Sequence, residues 1–283
     1  MKTGIALRST VFGPSLIAAM AAALDSSELH SIWFPSVGRG FDALEMSGIS
    51  LGRTRRLLVG TGVMGSSEHD PAKLTARVQT LEAASSGRFL MGLGTGAGIG
   101  RSAIRGLLNA VSTFRANYAG SSPPPIFLAA LRREMLFAAF RHADGAILNF
   151  CSPDYVERLV SSDKPKDGFT LSCYIKMFFA EDDAIAKKML VNEMKVYNSI
   201  PQYRAMFEEM GVSAEIDVLT ANSSISERLM EISLANPSDS DIEDMIDRFR
   251  EVGIDLPILY PYVSGDEDYK TAIVERLGSL AAP

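Results

Sequence analysis

The sequence is poor in the residues that several classes of protein depend on. It has two cysteines, Cys151 and Cys173, and three histidines among 283 residues. Two thiols at this spacing form neither a disulfide framework nor a metal-binding cluster, which is typical of proteins from a reducing compartment. A His-Glu-x-x-His helix, a Gly-x-Ser-x-Gly elbow and a Walker phosphate loop are also absent. The sequence therefore offers no motif for a bound metal or for a protein nucleophile.

Positive charge and long apolar runs are scarce as well. The formal net charge is −6, which argues against a protein that binds nucleic acid through its phosphates. No run of 18 or more apolar residues is present to span a membrane, and the apolar stretch within residues 1–7 is too short for a signal peptide. The sequence thus predicts a cytoplasmic protein with no nucleic-acid or membrane partner.

What the sequence has is a regular alternation of short apolar runs and helical patterns. With 47% hydrophobic and 22% charged residues, the chain can build a large core. Eight predicted strands, each followed by a helix, begin at Gly4, Ile32, Leu57, Phe89, Ile126, Gly145, Leu171 and Pro257. This alternation predicts an α/β protein, a (β/α)8 TIM barrel in one domain over residues 1–283. Residues 182–250 show helical patterns and no clear strand, so we expect a helical insertion before the last strand.

The stretch 57–98 contains the strongest indication of a binding site. It reads as a strand, a helix with Leu74, Val78 and Leu81 on one stripe, and a second strand. Both strands end in glycines. Because the loops beyond the carboxyl ends of parallel strands carry the ligand, these glycines predict close approach of the backbone to a bound molecule.

A set of short motifs resembles the bacterial luciferase-like superfamily. They are Val-Gly-Thr-Gly-Val at 59–63, Asp-Pro at 70–71, Leu-Glu at 81–82, Ser-Gly-Arg-Phe at 86–89, Gly-Leu-Gly-Thr-Gly at 92–96, Pro-Pro-Ile-Phe-Leu-Ala-Ala at 124–130 and Ala-Asp-Gly-Ala-Ile-Leu-Asn at 143–149. The segment 201–211 is similar to the branch that uses the deazaflavin coenzyme F420, which includes methylenetetrahydromethanopterin reductase. The resemblance covers roughly residues 30–215, and the ordered set is more specific than any one motif.

The resemblance implies an oxidoreductase that transfers a hydride between coenzyme F420 and a small organic substrate. The cofactor ring is expected across the carboxyl ends of the strands. The family has a non-prolyl cis peptide at the end of the third strand, and the matching bond here is Gly62–Val63. A larger side chain at Gly62 is accordingly expected to occupy the space of the ring while leaving the barrel folded.

The cofactor-binding residues expected from this match are Ser36, Gly62, Val63, Gly94, Thr95, Gly96, Ala130, Leu131, Arg132 and Asn149. The amides of residues 131–134 open a helix and are expected to bind the phosphate of the cofactor, helped by Arg132 or Arg133. For these arginines a solvated helix face is the alternative. For Asn149 the alternative is to cap the following helix.

His69 is the expected catalytic residue. It lies in a loop at the predicted site, and an imidazole can give a proton to a product alkoxide. The alternative for His69 is to cap the helix that starts at Pro71. The family usually carries an acidic residue and a histidine after the second strand, whereas this chain has Pro-Ser-Val-Gly at 35–38. No ring-contacting carboxylate is therefore expected at that position.

Three interpretations of the function remain open at this stage. The first is the F420-dependent oxidoreductase, and the second keeps the fold but uses FMN in a luciferase-like monooxygenase. The third is a barrel that has lost catalysis and serves as a binding protein. The resemblance also implies a homodimer that forms through the helices after the second and third strands.

Overall fold

A computed structural model describes residues 2–36, 38, 40–120, 122–161 and 165–280. Val37, within the stretch that departs from the family pattern, lies outside the described residues. The strands are β1 (Gly4–Ala6), β2 (Ser31–Phe34), β3 (Leu58–Thr61), β4 (Met64–Gly65), β5 (Phe89–Gly94), β6 (Ile126–Ala129), β7 (Gly145–Asn149), β8 (Thr170–Ala180), β9 (Ser233–Ala235) and β10 (Leu256–Ser264).

The helices complete the alternation. They are α1 (Ser9–Leu24), α2 (Ala43–Arg53), α3 (Pro71–Ser85), α4 (Gly100–Asn117), α5 (Arg133–His142), α6 (Pro153–Val160), α7 (Asp183–Asn198), α8 (Pro201–Met210), α9 (Ser213–Asn222), α10 (Glu227–Met230), α11 (Asp239–Glu251) and α12 (Glu267–Ser279). Within the described part of the chain, no helix combines the length and apolarity needed to cross a bilayer.

Eight of the strands form a closed parallel barrel. In order around the barrel, β1, β2, β3, β5, β6, β7, β8 and β10 pair side by side, and β10 returns to β1. The longest pairing is that of β8 with β10, which run in register from Ser172 and Leu256 to Ala180 and Ser264. The predicted (β/α)8 TIM barrel is confirmed, and each barrel strand begins within one residue of its predicted start.

The barrel strands are buried on both faces, which is why they read as apolar runs. Trp33 on β2 is fully buried inside the barrel, where its ring packs edge-on against Phe127 with centroids 5.1 Å apart. Cys151 and Cys173 are both buried and both free thiols.

The insertion before the last strand contains one feature that the sequence did not predict. Helices α7 to α10 are followed by β9, which pairs in parallel with β8 through Ser233 and Lys176. The expectation of no strand between residues 182 and 250 is therefore wrong. A strand of three residues is too short for any periodic pattern. After it, α11 packs against β8 and β10 as a helix of the barrel itself.

Helix caps settle two of the alternatives. The Asp70 carboxylate accepts a hydrogen bond from the amide of Lys73 at 2.9 Å, so Asp70 caps α3 and His69 does not. The Ser152 hydroxyl accepts from the amide of Tyr155 at 3.3 Å, so Ser152 caps α6. Asn149 is thereby left available at the end of β7.

Candidate active site at the barrel mouth

A cavity of about 350 Å³ opens at the carboxyl ends of the barrel strands. Its volume is in the range of sites for small molecules and cofactors, about 300–1,000 Å³. Its walls come from the carboxyl ends of β3 to β6 and the loops beside them, from the loop after β2, from side chains of β7, β8 and β10, and from the start of the insertion. The lining residues are Pro35, Ser36, Gly38, Gly62, Val63, Met64, Gly65, Glu68, Gly94, Thr95, Gly96, Ala129, Leu131, Ile147, Asn149, Tyr174, Tyr197, Ile200, Gln202, Tyr203 and Tyr260.

Most of the expected cofactor-binding residues lie together on this cavity. Those that line it are Ser36, Gly62, Val63, Gly94, Thr95, Gly96, Leu131 and Asn149. Ala130 does not, because it is fully buried and its amide donates to the carbonyl of Ile147 at 3.0 Å. Its neighbour Ala129 lines the cavity instead. The peptide bond between Gly62 and Val63 is cis, as the resemblance implied.

The space beside Gly62 is filled by a tyrosine from the opposite side of the barrel. The hydroxyl of Tyr174 donates to the carbonyl oxygen of Gly62 at 2.8 Å, and a Cβ added at Gly62 would overlap that hydroxyl. Burial raises the pKa of Tyr174, so the phenol stays protonated as a donor. The glycine is thus required by packing within the protein, and a larger residue here is expected to disturb the barrel interior rather than leave it intact.

Asn149 lines the cavity, and its side chain carries a hydrogen-bond acceptor without a partner among the described residues. Its side-chain amide nitrogen donates to the hydroxyl of Tyr203 at 2.7 Å. Its carbonyl oxygen Oδ1 is buried and has no partner among the described residues. An unpaired buried acceptor costs free energy, on the order of 1–3 kcal/mol, and is normally satisfied by a ligand or water. The arrangement therefore fits a ligand that presents an N–H group at this wall.

A carboxylate lies on the cavity, although not where the family usually has one. Glu68 follows β4, and its side chain packs over Gly65 and Gly96, where an added Cβ would meet the carboxylate. His69, the expected catalytic residue, is not among the residues that line the cavity. In the described ranges, no group of three or more His, Cys, Asp or Glu side chains is arranged to hold a metal ion.

A second cavity of about 610 Å³ adjoins the first, between the amino-terminal ends of α4 and α5. The two cavities share four lining residues, Thr95, Ala129, Leu131 and Gln202. Among the described residues, no side chain caps the first turn of α4 or of α5. The first amides of both helices are therefore without side-chain acceptors, and such helix ends favour anions.

Arginines surround the second cavity, but they differ in their partners. Arg132 forms an ion pair with Glu209 of α8, with Nε 2.6 Å from Oε1. The hydrogen bond that Arg132 donates to Glu209 raises the pKa of Arg132. Arg133 has its guanidinium over the ring of Phe137, 4.9 Å from the centroid, and no ion-pair partner among the described residues. Arg101 lies 3.5 Å from a carboxylate oxygen of Glu134.

Sequence reasoning missed the residues that the insertion and β8 bring to the site. Tyr174 reaches Gly62 across 112 positions of sequence. The side-chain amide of Gln202, at the start of α8, donates to the backbone carbonyl of Gly98 at 3.1 Å. This contact fixes one end of α8 beside both cavities. A long-range contact of this kind leaves no local pattern.

Comparison with known proteins agrees with this fold. The model of the luciferase-like monooxygenase family matches residues 1–102. No curated protein sequence matches the chain. An F420-dependent secondary alcohol dehydrogenase, solved with an F420–acetone adduct, superimposes with a TM-score of 0.74 at 15% identity over 98% of each chain.

Two further solved structures are similar over nearly the whole chain. The coenzyme F420-dependent tetrahydromethanopterin reductase of Methanopyrus kandleri has a TM-score of 0.70 at 15% identity, covering 98% of this chain and 97% of that one. The FMN-bound oxygenating constituent of 3,6-diketocamphane monooxygenase from Pseudomonas putida has a TM-score of 0.67 at 13% identity, covering 100% and 98%. The resemblance to the luciferase-like family is thus confirmed, and its fold is shared by proteins that use F420 and by proteins that use FMN.

Proposed function

We propose that this protein is an oxidoreductase that transfers a hydride between coenzyme F420 and a small organic substrate. The observation that carries the proposal is the pair of adjoining cavities at the barrel mouth. The first has the volume and walls for a flat ring, and the second has helix amino termini and arginines for an anionic tail. A cofactor with both parts would occupy both cavities through their shared wall.

The first cavity suits the ring of a deazaflavin or flavin. Asn149 Oδ1 is a buried acceptor without a partner, and the pyrimidine part of such a ring carries an N–H donor. The tyrosines at positions 174, 197, 203 and 260 also line this cavity and give it aromatic walls.

The second cavity supports F420 over FMN. FMN ends in a single phosphate, whereas the tail of F420 continues beyond its phosphate with carboxylates. At about 610 Å³ the cavity is larger than a single phosphate needs. Of the arginines on its walls, Arg101 and Arg132 lie against Glu134 and Glu209, and Arg133 has no carboxylate partner in the described part of the chain, so it is available to an anionic tail. The second candidate is an FMN-dependent monooxygenase, which the family model and the FMN-bound neighbour favour.

When bound, the cofactor supplies or accepts the hydride, and the protein supplies orientation and proton transfer. The loop 62–64 and Asn149 position the ring. Glu68, at the cavity, is the side chain placed to take the proton of a substrate hydroxyl or to return it. His69 is the residue that the sequence predicted for this role. Because Glu68 lines the cavity and His69 does not, the geometry favours the carboxylate of Glu68.

Equilibrium titration tests the proposal. Purified protein is titrated with oxidised and reduced F420 and with FMN, and absorbance and fluorescence are followed. We expect micromolar or tighter binding of F420, weakened about tenfold in Asn149→Ala and less in Tyr203→Phe, which keeps Oδ1. Tight binding of FMN with none of F420 would establish the second candidate instead. Binding of neither would leave only the non-catalytic barrel.

The proton-transfer role is tested with two neighbouring variants. Loss of a general acid or base lowers turnover by about 10²–10⁴-fold. We expect this loss in Glu68→Gln and a change of less than about twofold in His69→Gln, measured as F420 reduction with a panel of alcohols. The reverse order would restore His69 as the catalytic residue.

A further inference from the structure

A fully buried lysine lies directly beneath the first cavity. Lys176 on β8 is 0% exposed. Its ammonium is enclosed by aromatic rings, with Nζ 4.0 Å from the ring centroid of Tyr197, 4.1 Å from Phe150, 5.0 Å from Tyr260 and 5.1 Å from Tyr262. Such contacts stabilise a cation. Tyr197 and Tyr260 also line the cavity, so two of the rings that contact the ammonium form part of the wall of the ligand space.

The lysine belongs to a cluster that we define as Arg8, Lys176, Glu193 and Tyr262. Lys176 Nζ donates to the hydroxyl of Tyr262 at 2.9 Å, and that hydroxyl donates to Oε1 of Glu193 at 2.6 Å. Arg8 Nη1 contacts the same carboxylate oxygen at 3.0 Å, and Lys176 lies 3.4 Å from it. Two cations therefore share one carboxylate oxygen.

The cluster carries an excess positive charge. Burial acts to raise the pKa of Glu193, but Lys176, the bond from Tyr262 and Arg8 outweigh it and lower that pKa, so the carboxylate is ionised. Burial raises the pKa of Tyr262, so the phenol is neutral. Arg8 Nε is buried and has no hydrogen-bond partner among the described residues. The cluster is thus short of an acceptor as well as of a negative charge.

Lys176 is fully buried and Arg8 is partly exposed, so the Lys176 end of the cluster is the part where positive charge is costly unless an anion approaches it. Arg8 follows β1 at the mouth of the barrel, and Lys176 is beneath the floor formed by Tyr197 and Tyr260. Glu68, the charged residue on the cavity wall, is exposed to solvent at the rim and does not contact the cluster. The first cavity is therefore where an anionic group of a ligand can offset the charge.

We propose that the Lys176 cluster makes the first cavity selective for a ligand with a negatively charged group next to Tyr197 and Tyr260. Either the reduced ring in its anionic form or a carboxylate or alkoxide of the second substrate presents this chemistry. The proposal rests on the proposed function only in taking the first cavity as the ligand site.

The test uses two probes of equal shape that differ in charge, benzoate and benzamide. Their dissociation constants are measured by ligand-observed NMR for the full chain without cofactor. A unit charge that acts over about 10 Å at an effective dielectric constant of about 20 changes affinity about tenfold. We expect the wild-type protein to bind benzoate about tenfold more tightly than benzamide.

The informative variant is Lys176→Met, which keeps an unbranched side chain that packs well among aromatic rings. It leaves Arg8 and Glu193 as a one-to-one pair, so no carboxylate is stranded. We expect the preference for benzoate to disappear, so that benzoate and benzamide bind this variant with about equal dissociation constants. Arg8→Gln, at a partly exposed side chain, leaves Lys176 and Glu193 paired and is expected to do the same. Lys187→Met removes an equal charge from the exposed side of α7 and is the matched control.

A second arm identifies the source of the anion. The ratio of affinities for reduced and oxidised F420 is measured in the same proteins. If that ratio falls together with the benzoate preference in Lys176→Met, the ring carries the charge; if only the benzoate preference falls, the second substrate does.

Two results overturn the proposal. One is a wild-type protein that shows no preference for benzoate, including failure of both probes to bind. The other is a preference that survives in both variants. If neither F420 nor FMN binds but Lys176→Met abolishes the benzoate preference, the proposed function fails and the anion selectivity stands.

Discussion

Tyr174 and Gly62 meet across the barrel, and their contact decides which residues position 62 accepts. The hydroxyl of Tyr174 donates to the carbonyl of Gly62 at 2.8 Å and fills the space in which a Cβ would lie. Without the hydroxyl oxygen, the nearest ring atom would be Cζ of Tyr174, 3.2 Å from that Cβ. The restriction at Gly62 therefore comes from one oxygen atom.

This contact predicts strong coupling between two substitutions. Gly62→Ala should destabilise the protein by about 1–3 kcal/mol through overpacking. In the Tyr174→Phe background, the same substitution should cost about 1 kcal/mol less, because the overlapping atom has gone. Urea unfolding of the two single variants and the double variant measures the coupling. Additive free energies of unfolding would mean that the hydroxyl does not occupy this space.

His30 predicts how stability depends on pH. It lies at the end of the barrel opposite the site, and burial, together with Lys2 and Arg56, lowers its pKa from 6.5 to about 4. Between pH 6.5 and 4 the unfolded chain therefore binds a proton that the folded protein does not. Stability should fall as the pH drops through this window and be unaffected by His30 above it.

Replacement of His30 removes this dependence. Between pH 6.5 and 4, the free energy of unfolding should decrease less in His30→Gln than in the wild type. The difference should be on the order of 1 kcal/mol, because solvent screens a ring that is partly exposed. Denaturant unfolding across the pH range checks this. His142→Gln, at an exposed histidine of α5, is the control and should keep the wild-type slope. Identical slopes in all three proteins would contradict the assignment.

Two adjacent arginines at the amino terminus of α5, Arg132 and Arg133, differ in their ion-pair partners. Arg132 precedes the helix and is already paired with Glu209, whereas Arg133 begins the helix without a carboxylate partner in the described part of the chain. An anion at the helix end can therefore recruit Arg133 without breaking an existing ion pair.

This difference predicts unequal effects on the cofactor tail. Arg133→Met should weaken F420 binding about tenfold, as expected for one charge-assisted hydrogen bond, and Arg132→Met should weaken it less. Fluorescence titration at low and at physiological salt gives both constants. An equal or larger loss in Arg132→Met would show that Glu209 releases Arg132 when the tail binds.

The sequence could predict elements whose signal is local. The barrel strands are buried runs, and Asp42, Asp70 and Ser152, each directly before its helix, cap α2, α3 and α6. It could not predict β9, which is three residues long and exists only because β8 is beside it. The glycines of the site were found from strand ends, but Tyr174, Gln202 and the lysine at 176 reach the site through tertiary packing. Glu68 and His69 are adjacent, and only the loop conformation decides which one lies on the cavity.

The assembly of the whole molecule follows from the resemblance and stays a prediction. A homodimer is expected to form through α2 and α3, which are tied together where Arg77 contacts Asp42 at 3.2 Å and Glu45 at 2.7 Å. Light scattering at micromolar concentration should give twice the chain mass of 30.6 kDa. Ala76→Arg, on the exposed face of α3, should give monomers, while Ala272→Arg on α12 should not. A monomeric wild type would contradict the prediction.

The central claim concerns the barrel mouth as one continuous binding site for a flat redox ring and its anionic tail. A crystal structure of the protein with F420 tests it most directly. The account predicts density for the ring in the first cavity, with an N–H within hydrogen-bonding distance of Asn149 Oδ1, and for the phosphate at the amino terminus of α5. Density for F420 elsewhere, or a tail directed away from α4 and α5, would contradict it.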